Sequence, residues 1–270
     1  MTVIGKVFTG SIPEYYDAYM VPLGFEKYAR NIADRVRAIN PKSVLETAAG
    51  SGVVARALAP HLSADARYVV TDLAQPMLDH ATSKHGPDDR IEWQQADALN
   101  LPFDCRSFDT VLCQFGAMFF PDRSKGHAEA LRMLDIGGQY IFSVWDRIET
   151  NEFADIVTKT AAQLFPEDPP LFLAQTPHGY YDHDLILNDL HRAGFLDITI
   201  ETITEPSLAA SAHDVALGFC HGTPLRYEIE GRDPTRLDEV TDKVTRAIET
   251  KYGSGPVEAK VCGHIVTAVK

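Results

Sequence analysis

The chain is short of the residues that would tie it to several common protein classes. Cysteine occurs only four times in 270 residues, as Cys105, Cys113, Cys220 and Cys262, with no C-x-x-C pair. That scatter gives neither a zinc site nor a disulfide framework. The four read as reduced, mostly buried thiols of a cytoplasmic protein, and no metal is expected. Basic residues are outnumbered, 25 Lys and Arg against 38 Asp and Glu, and they form no stripe. A net charge of −13 argues against a nucleic-acid partner, because phosphate neutralisation supplies most non-specific affinity. No apolar run approaches the roughly 18 residues that a membrane helix needs. Residues 1–10 offer neither a basic n-region nor a sustained apolar h-region, so no secretion signal is expected. Internal repeats and low-complexity tracts are also missing. What remains is an acidic chain, 45% apolar, long enough for one large α/β domain with insertions or a small cap.

The most informative stretch runs Ser43-Val44-Leu45-Glu46-Thr47-Ala48-Ala49-Gly50-Ser51-Gly52-Val53-Val54-Ala55. It reads as an apolar strand, a small-residue turn and the first turn of a helix. Small residues let an extended ligand lie against the backbone, and a helix start offers unpaired N–H groups. Asp72 follows at the tip of the next strand, where an acidic side chain can hold both hydroxyls of a ribose. This is the architecture of a nucleoside-cofactor site.

From Ser43 onward, short apolar runs alternate with amphipathic stretches, the rhythm of a parallel sheet with crossover helices. Strands are predicted at 43–47, 67–72, 91–96, 108–114 and 138–145, with helices near 53–62, 75–84 and 123–134. Gly137-Gly138 reads as a turn feeding the fifth strand. Before the sheet, residues 13–38 carry a near-helical apolar period ended by Asn40-Pro41. After it, helices are expected at 151–165, at 184–193 closed by Gly194, and at 235–250. Two late strands, 196–204 and 260–269, suggest an antiparallel edge.

Gly50-Ser51-Gly52-Val53-Val54-Ala55 also satisfies G-x-G-x-x-A, so a nicotinamide-dependent oxidoreductase is a competing reading. Three features weigh against it. Glu46 would put a carboxylate beside the ligand's path, repelling a pyrophosphate and attracting an ammonium or sulfonium; otherwise it would cap a neighbouring loop. Asp97, followed by Ala98, could accept from an exocyclic amine beside a purine ring, or could simply make an Asx turn. Strand 108–114 delivers Gln114 and Phe115 to the same rim, followed by Met118, Phe119, Phe120 and Pro121. These aromatics could wall a pocket or plug the next helix.

Leu45-Glu46-Thr47-Ala48-Ala49-Gly50-Ser51-Gly52, Thr71-Asp72-Leu73 with Met77, Ala96-Asp97-Ala98, Leu101-Pro102-Phe103, Phe108-Asp109 and Phe119-Phe120-Pro121-Asp122 together resemble the class I S-adenosylmethionine-dependent methyltransferases. In particular they resemble the bacterial ubiquinone/menaquinone-biosynthesis (type 11) group. The resemblance covers residues 40–147 firmly. It implies a Rossmann-like, seven-stranded, mostly parallel sheet with the last strand antiparallel, helices on both faces and a helical lid. Residues 1–38 would be a lid segment, 39–150 the S-adenosylmethionine-binding core, and 151–270 the rest of the sheet with substrate-lid insertions, all one domain. The cofactor implied is S-adenosyl-L-methionine, with S-adenosyl-L-homocysteine as product. By resemblance the Glu46–Gly52 loop, with Ala48, Ala49 and Gly50, would hold the methionine moiety and Asp72 the ribose. Leu73 and Met77 would lie on one adenine face, Asp97 and Ala98 at the adenine edge, and Gln114 and Phe115 on the floor. Where the family often has a glycine this chain has Ala48, tolerable if that backbone is not at positive φ.

The implied reaction is in-line methyl transfer to a small-molecule acceptor. It needs alignment and exclusion of water, and a base only if the acceptor loses a proton. No catalytic residue is singled out: His127, His178, His183 and His221 are all candidates, as are Tyr15 and Tyr16. The segment Tyr15–Tyr19 is expected either to fold over the cofactor, with Tyr16 reaching it, or to pack as an amphipathic helix. Residues 166–182 and 206–235 should complete the lid, with Phe219–Pro224 as a helix end meeting a turn. A non-catalytic cofactor-binding protein is the third reading. A DNA amino-methyltransferase is disfavoured, because the rim after the fourth strand lacks an Asn/Asp-Pro-Pro-Tyr/Phe tetrad. The acceptor and the oligomeric state stay open, a homodimer included.

Overall fold

The computed structural model describes residues 10–270. Residues 1–9 of the expected lid segment lie outside the described residues. In chain order the elements begin with α1 (Ile12–Tyr15), a π-helical turn (Tyr16–Met20), a 3-10 turn (Val21–Leu23), α2 (Phe25–Ile39), β1 (Ser43–Glu46) and α3 (Val53–Leu58). Next come β2 (Arg67–Asp72), α4 (Gln75–His85), β3 (Ile91–Gln95), β4 (Phe108–Gln114), α5 (Arg123–Met133) and β5 (Leu134–Trp145). The later half holds α6 (Glu152–Leu164), α7 (Phe172–Gln175), α8 (His183–Ala193), β6 (Asp197–Ala209), α9 (Ala212–His221), α10 (Leu225–Arg232), α11 (Leu237–Tyr252) and β7 (Val257–Val269).

The seven strands form one sheet in the order β3-β2-β1-β4-β5-β7-β6. β1 pairs in parallel with β2 and β4, β2 with β3, and β4 with β5. β7 runs antiparallel to both β5 and β6. The central strands β1, β2 and β4 are buried along nearly their whole length, so their sequences read as continuous apolar runs. The chain winds outward from β1 through β2 to β3, then returns to lay β4 on the other side of β1. That reversal opens a crevice at the carboxyl ends of β1 and β4, where open α/β sheets bind their ligands.

α2 buries Phe25, Tyr28, Ala29, Ile32, Ala33 and Val36, one helical face, and stops at Asn40 in the left-handed conformation. The expected single helix over 13–38 is therefore divided. α2 is the amphipathic helix packed on the fold, while Tyr16, Met20 and Leu23 in the turns before it line the cavity described below. Other predicted elements recur with shifted ends. β5 begins at Leu134, and Gly137-Gly138 sits inside a bulge: β4 advances from Phe108 to Thr110 while β5 advances from Leu134 to Gln139. Gly194 closes α8 at φ 106°, donating its N–H to the Leu190 and His191 carbonyls. β6 and β7 pair over thirteen residues each, longer than predicted. α7, α9 and α10 fall in the segments 166–182 and 206–235 expected as lid, α9 ending at His221 where a helix end is expected.

Candidate active site

The turn after β1 is held by the backbone of its neighbours. Thr47 N–H donates to the Leu112 carbonyl (2.8 Å) and Ala49 N–H to the Thr71 carbonyl (3.0 Å). Thr71 Oγ1 donates to the Glu46 carbonyl at 2.8 Å. The turn needs left-handed backbone at Ala48 (φ 52°), Gly50 (φ 57°) and Gly52 (φ 76°). At Ala48 the condition set by sequence is not met: the residue sits at positive φ, a conformation costing an L-residue about 1–2 kcal/mol. Its Cβ rests against Gly116, where an added Cβ would come within 2.4 Å of it and 2.8 Å of Cys113 Sγ. Gly116 is thus the residue that lets the β4 rim approach the turn.

Asp72 ties this turn to the next. Its Oδ2 accepts from Gly50 N–H and its Oδ1 from Ala74 N–H, both at 2.8 Å. Burial pushes its pKa up, against these hydrogen bonds. Asp97 makes the Asx turn that was the alternative reading, Oδ1 accepting from Leu99 N–H at 2.9 Å, and still lines the cavity. Gln114 donates through Nε2 to the Phe25 carbonyl (3.3 Å), and its buried Oε1 has no partner among the described residues. Phe115 is held at φ 51°, with its ring stacked on Trp145 at 3.6 Å and 12°. A bulky side chain in the left-handed region marks backbone that the surroundings over-determine.

These groups border one cavity of about 220 Å³. Eleven of the twelve residues expected to meet the cofactor line it: Tyr16, Ala48, Ala49, Gly50, Asp72, Leu73, Met77, Asp97, Ala98, Gln114 and Phe115. Glu46 is the one that does not line it. It is fully buried, its Oε2 accepts from the Tyr68 hydroxyl, and its Oε1 is unpaired among the described residues. Burial pushes its pKa up to about 8, the Tyr68 hydrogen bond opposing and Asp72 adding.

A strap closes the cavity from above. Asp17 binds Arg56 of α3 at 2.8 Å and His80 of α4 at 3.3 Å, while Arg56 Nη1 also donates to the Ser51 carbonyl at 2.5 Å. Burial raises the Asp17 pKa, but the Arg56 charge and hydrogen bonds from Ser51, His80 and Arg56 leave it below its ordinary value. On the outer side Tyr15 stacks on His221 of α9 at 5.3 Å. Gly222 allows the Tyr16 backbone to pass, since an added Cβ would lie 3.0 Å from Tyr16 N.

The cavity is also lined by residues that the strand-and-turn motifs did not announce: Trp145, Phe153, Phe172, His178, Phe219 and Val261. Of these, Phe219 and His178 stood in segments or sets already noted. The rest come from α6, α7, β5 and β7, whose apolar residues read as core until the sheet brings them together. Phe119 and Phe120 line the cavity as well. Phe120 also covers Gly126 of α5, where an added Cβ would lie 2.4 Å from its ring, so both readings of these aromatics apply.

Comparison with known proteins gives this geometry its relatives. Residues 44–138 match the methyltransferase-domain family. A demethylmenaquinone methyltransferase of Clavibacter sepedonicus is 38% identical over 108 residues, which span 39% of this chain and 43% of that protein. A demethylmenaquinone methyltransferase of Bacteroides fragilis is 24% identical over 215 residues, 74% of this chain and 87% of that protein. Among solved structures, Haemonchus contortus phosphoethanolamine N-methyltransferase 2 in complex with S-adenosyl-L-methionine matches with a TM-score of 0.53 at 17% identity. That match covers 89% of this chain and 52% of that one, a likeness of fold. Residues 44–138 thus carry a methyltransferase domain on the fold of S-adenosylmethionine-dependent methyltransferases, for which the cofactor is S-adenosyl-L-methionine.

Proposed function

We propose that this protein transfers the methyl group of S-adenosylmethionine to a small acceptor with an apolar, aromatic body. The observation that carries the reading is the single cavity joining the β1 turn, Asp72 and Asp97 at one end to an aromatic wall at the other. When bound, the cofactor supplies a methyl carbon already activated by its sulfonium. The residues fit that group. The unpaired Oε1 of Gln114 is a buried acceptor suited to an ammonium, and burying it without a partner is costly. Asp72 would take the ribose hydroxyls on lone pairs left beside its two backbone contacts. Leu73 and Met77 would pack on the adenine, Asp97 and Ala98 would meet its edge, and Tyr16 would close over it from the strap. Ala48, Ala49 and Gly50 would lie along the methionine chain with Phe115 beneath. Alignment within a closed, water-poor cavity then supplies most of the rate, up to roughly 7–11 kcal/mol in favourable cases.

On this reading residues 1–38 serve as the strap, 39–150 as the cofactor core, and 151–270 as the acceptor wall and sheet completion. The relatives' names point the acceptor toward a quinone-related ring, and the aromatic wall supports a flat partner. No helix among the described residues is long and apolar enough to cross a membrane. Calorimetric titration with S-adenosylhomocysteine, S-adenosylmethionine and NAD(H) tests the reading. Micromolar binding of the first two and silence with NAD(H) is expected; binding of NAD(H) instead would restore the oxidoreductase reading.

A further inference from the structure

We propose that residues 11–23 of the strap form a gate on cofactor exchange, hinged at Gly24 and latched shut by Asp17 on Arg56 and His80. This rests on the S-adenosylmethionine reading above and adds to it how that site is entered and left.

The segment is built to move. Between Ser11 and Gly24 the backbone passes through three short helical forms in succession, α1, the π-helical turn and the 3-10 turn. Helices under about 12 residues are marginal on their own, so tertiary contacts hold this one in place. Gly24 ends it at φ 156°, where an added Cβ would press on Val261 at 3.2 Å. Beyond Gly24 the chain is fixed. Gln114 Nε2 donates to the Phe25 carbonyl at 3.3 Å, and the Tyr28 hydroxyl donates to the Ile203 carbonyl at 2.7 Å. A change of direction between a loose segment and a pinned helix falls on the residue between them.

Asp17 holds the segment down without touching the ligand space. Neither it nor Arg56 nor His80 lines the cavity. Its carboxylate stands instead between the helices that leave the two cofactor turns. α3 starts after Gly52 and carries Arg56; α4 starts after the Asp72 turn and carries His80. Oδ1 accepts from Arg56 Nη2 at 2.8 Å, and Oδ2 faces His80 Nε2 at 3.3 Å. His80 Nε2 is sealed from water and has no hydrogen-bond partner among the described residues. Arg56 also donates to the Ser51 carbonyl, so one guanidinium joins the strap to the cofactor turn. The Asp17 side chain is 15% exposed and that of Arg56 28%, which strengthens their attraction over that of a fully solvated pair.

The segment lies between ligand space and an outer helix. Beneath it, Tyr16, Met20 and Leu23 line the cavity. Burial first, then the charges of Asp72 and Asp17, push the Tyr16 phenol's pKa up, so Tyr16 senses the ribose-side carboxylate and the latch together. Above it, α9 comes close through small residues. An added Cβ at Gly218 would lie 3.2 Å from Tyr19 Cβ, and one at Gly222 would lie 3.0 Å from Tyr16 N. A ligand on the β1 turn and Asp72 has Tyr16 over it, and the strap sets how fast it comes and goes. A latch that must break before the strap lifts slows entry and exit alike, and so changes affinity little.

The test follows radiolabelled S-adenosylhomocysteine entering and leaving the protein. Asp17→Asn keeps the side chain's size and leaves Arg56 on Ser51. It should raise both rates about five- to twentyfold, the range for losing a charge-assisted pair partly shielded from water. Kd should move less than about threefold. Unchanged rates, or a faster exit with entry unchanged, would overturn the inference. The converse variant combines Tyr19→Cys with Gly218→Cys, whose Cβ atoms would stand near the about 3.5–4.5 Å of a disulfide. Closed by oxidised glutathione over bound ligand, it should retain the label at least about tenfold longer than Gly218→Cys alone. Closed on empty protein, it should shut the label out, and dithiothreitol should restore both rates. Exchange that ignores the closed bridge, or no bridge in the folded variant, would count against the gate. Wild type gives a measurement free of any variant's folding. Its amide hydrogen exchange at residues 11–23 should slow on saturation with S-adenosylhomocysteine while α2 stays unchanged, and no slowing there would also sink the idea. Failure of wild type to bind S-adenosylhomocysteine would instead remove the cofactor reading beneath it.

Discussion

On the proposed reading, the cofactor end of the cavity comes from the turns after three adjacent parallel strands, between residues 46 and 98, and its polar work is done largely by backbone. Asp72 there is occupied twice over by main-chain N–H groups. The proposed acceptor end comes from the strap, β5, α6, α7, α9 and β7, and it is lined largely by side-chain rings. A backbone-built site demands particular φ angles and small residues at fixed spacing, which a sequence motif can carry. A side-chain-built site demands only bulk and shape, which many sequences can supply. The first is general to a cofactor; the second is free to change with the acceptor.

Four substitutions would break or sharpen that contrast at one end, and one acts at the seam. The largest effect is expected from Asp72→Ala, which removes charge-assisted hydrogen bonds of about 2–3 kcal/mol. Calorimetry should find S-adenosylhomocysteine affinity lowered by about 30- to 100-fold, with affinity for 1-naphthol, a flat aromatic probe of the other end, changed less than about twofold if the ends are independent. Gly116→Ala strikes the seam, where the new methyl meets Ala48 and Cys113. Urea unfolding should register a loss of about 1–3 kcal/mol, with both ligands weakened.

Glu46→Gln comes next and is read through pH. The folded-state pKa of Glu46 is raised to about 8, so its contribution is fully present below its unfolded value and is lost as pH rises toward 8. His178 and His127 shift the other way, to about 4 and about 3. Their effect appears only as pH falls below the ordinary histidine value. Between pH 6.5 and 8 the carboxyl therefore acts without them. Wild-type stability should decline by about 2 kcal/mol across that window, the decline should vanish in Glu46→Gln, and cofactor affinity should stay nearly constant. Phe172→Ala should weaken 1-naphthol by about three- to tenfold, the range of an aromatic contact, and leave S-adenosylhomocysteine unaffected. Ala48→Gly is the smallest. Relief of positive φ, about 1–2 kcal/mol, is offset by the entropy of glycine, about 0.5–1 kcal/mol. A net gain of about 0.5 kcal/mol in urea unfolding would sharpen the view that this alanine is strained.

The same contrast explains what could be read from sequence. The β1 turn, Asp72, Asp97 and Gln114 were legible because each sits at a strand end whose position the apolar rhythm marks. Glu46 shows what a strand end leaves open. Its place at the end of β1 was read correctly, but the side to which a strand residue points depends on register, and Tyr68 on β2 had to be seen beside it. Trp145, Phe153 and Phe172 were illegible as site residues because a buried aromatic has the same local pattern whether it faces a core or a cavity. His178 stood among several equal histidines until the fold set it on the cavity wall. The split of the N-terminal segment was hidden too: its apolar spacing continues through the π-turn, and only Asp17 pairing with Arg56 and His80 pins that part over the cavity.

The placement of β7 has a consequence for how the chain matures. β7 lies between β5 and β6, and β6 has no other strand neighbour among the described residues. Residues 197–209 leave the ribosome well before 257–269, and until those follow, β6 has nothing to pair with. The five parallel strands can assemble early, as contiguous units do, while β6, α9, α10 and α11 wait as an unfinished flap. The cofactor turn would then exist on the nascent chain before the acceptor wall does, and the two ends of the cavity would differ in age as well as in construction.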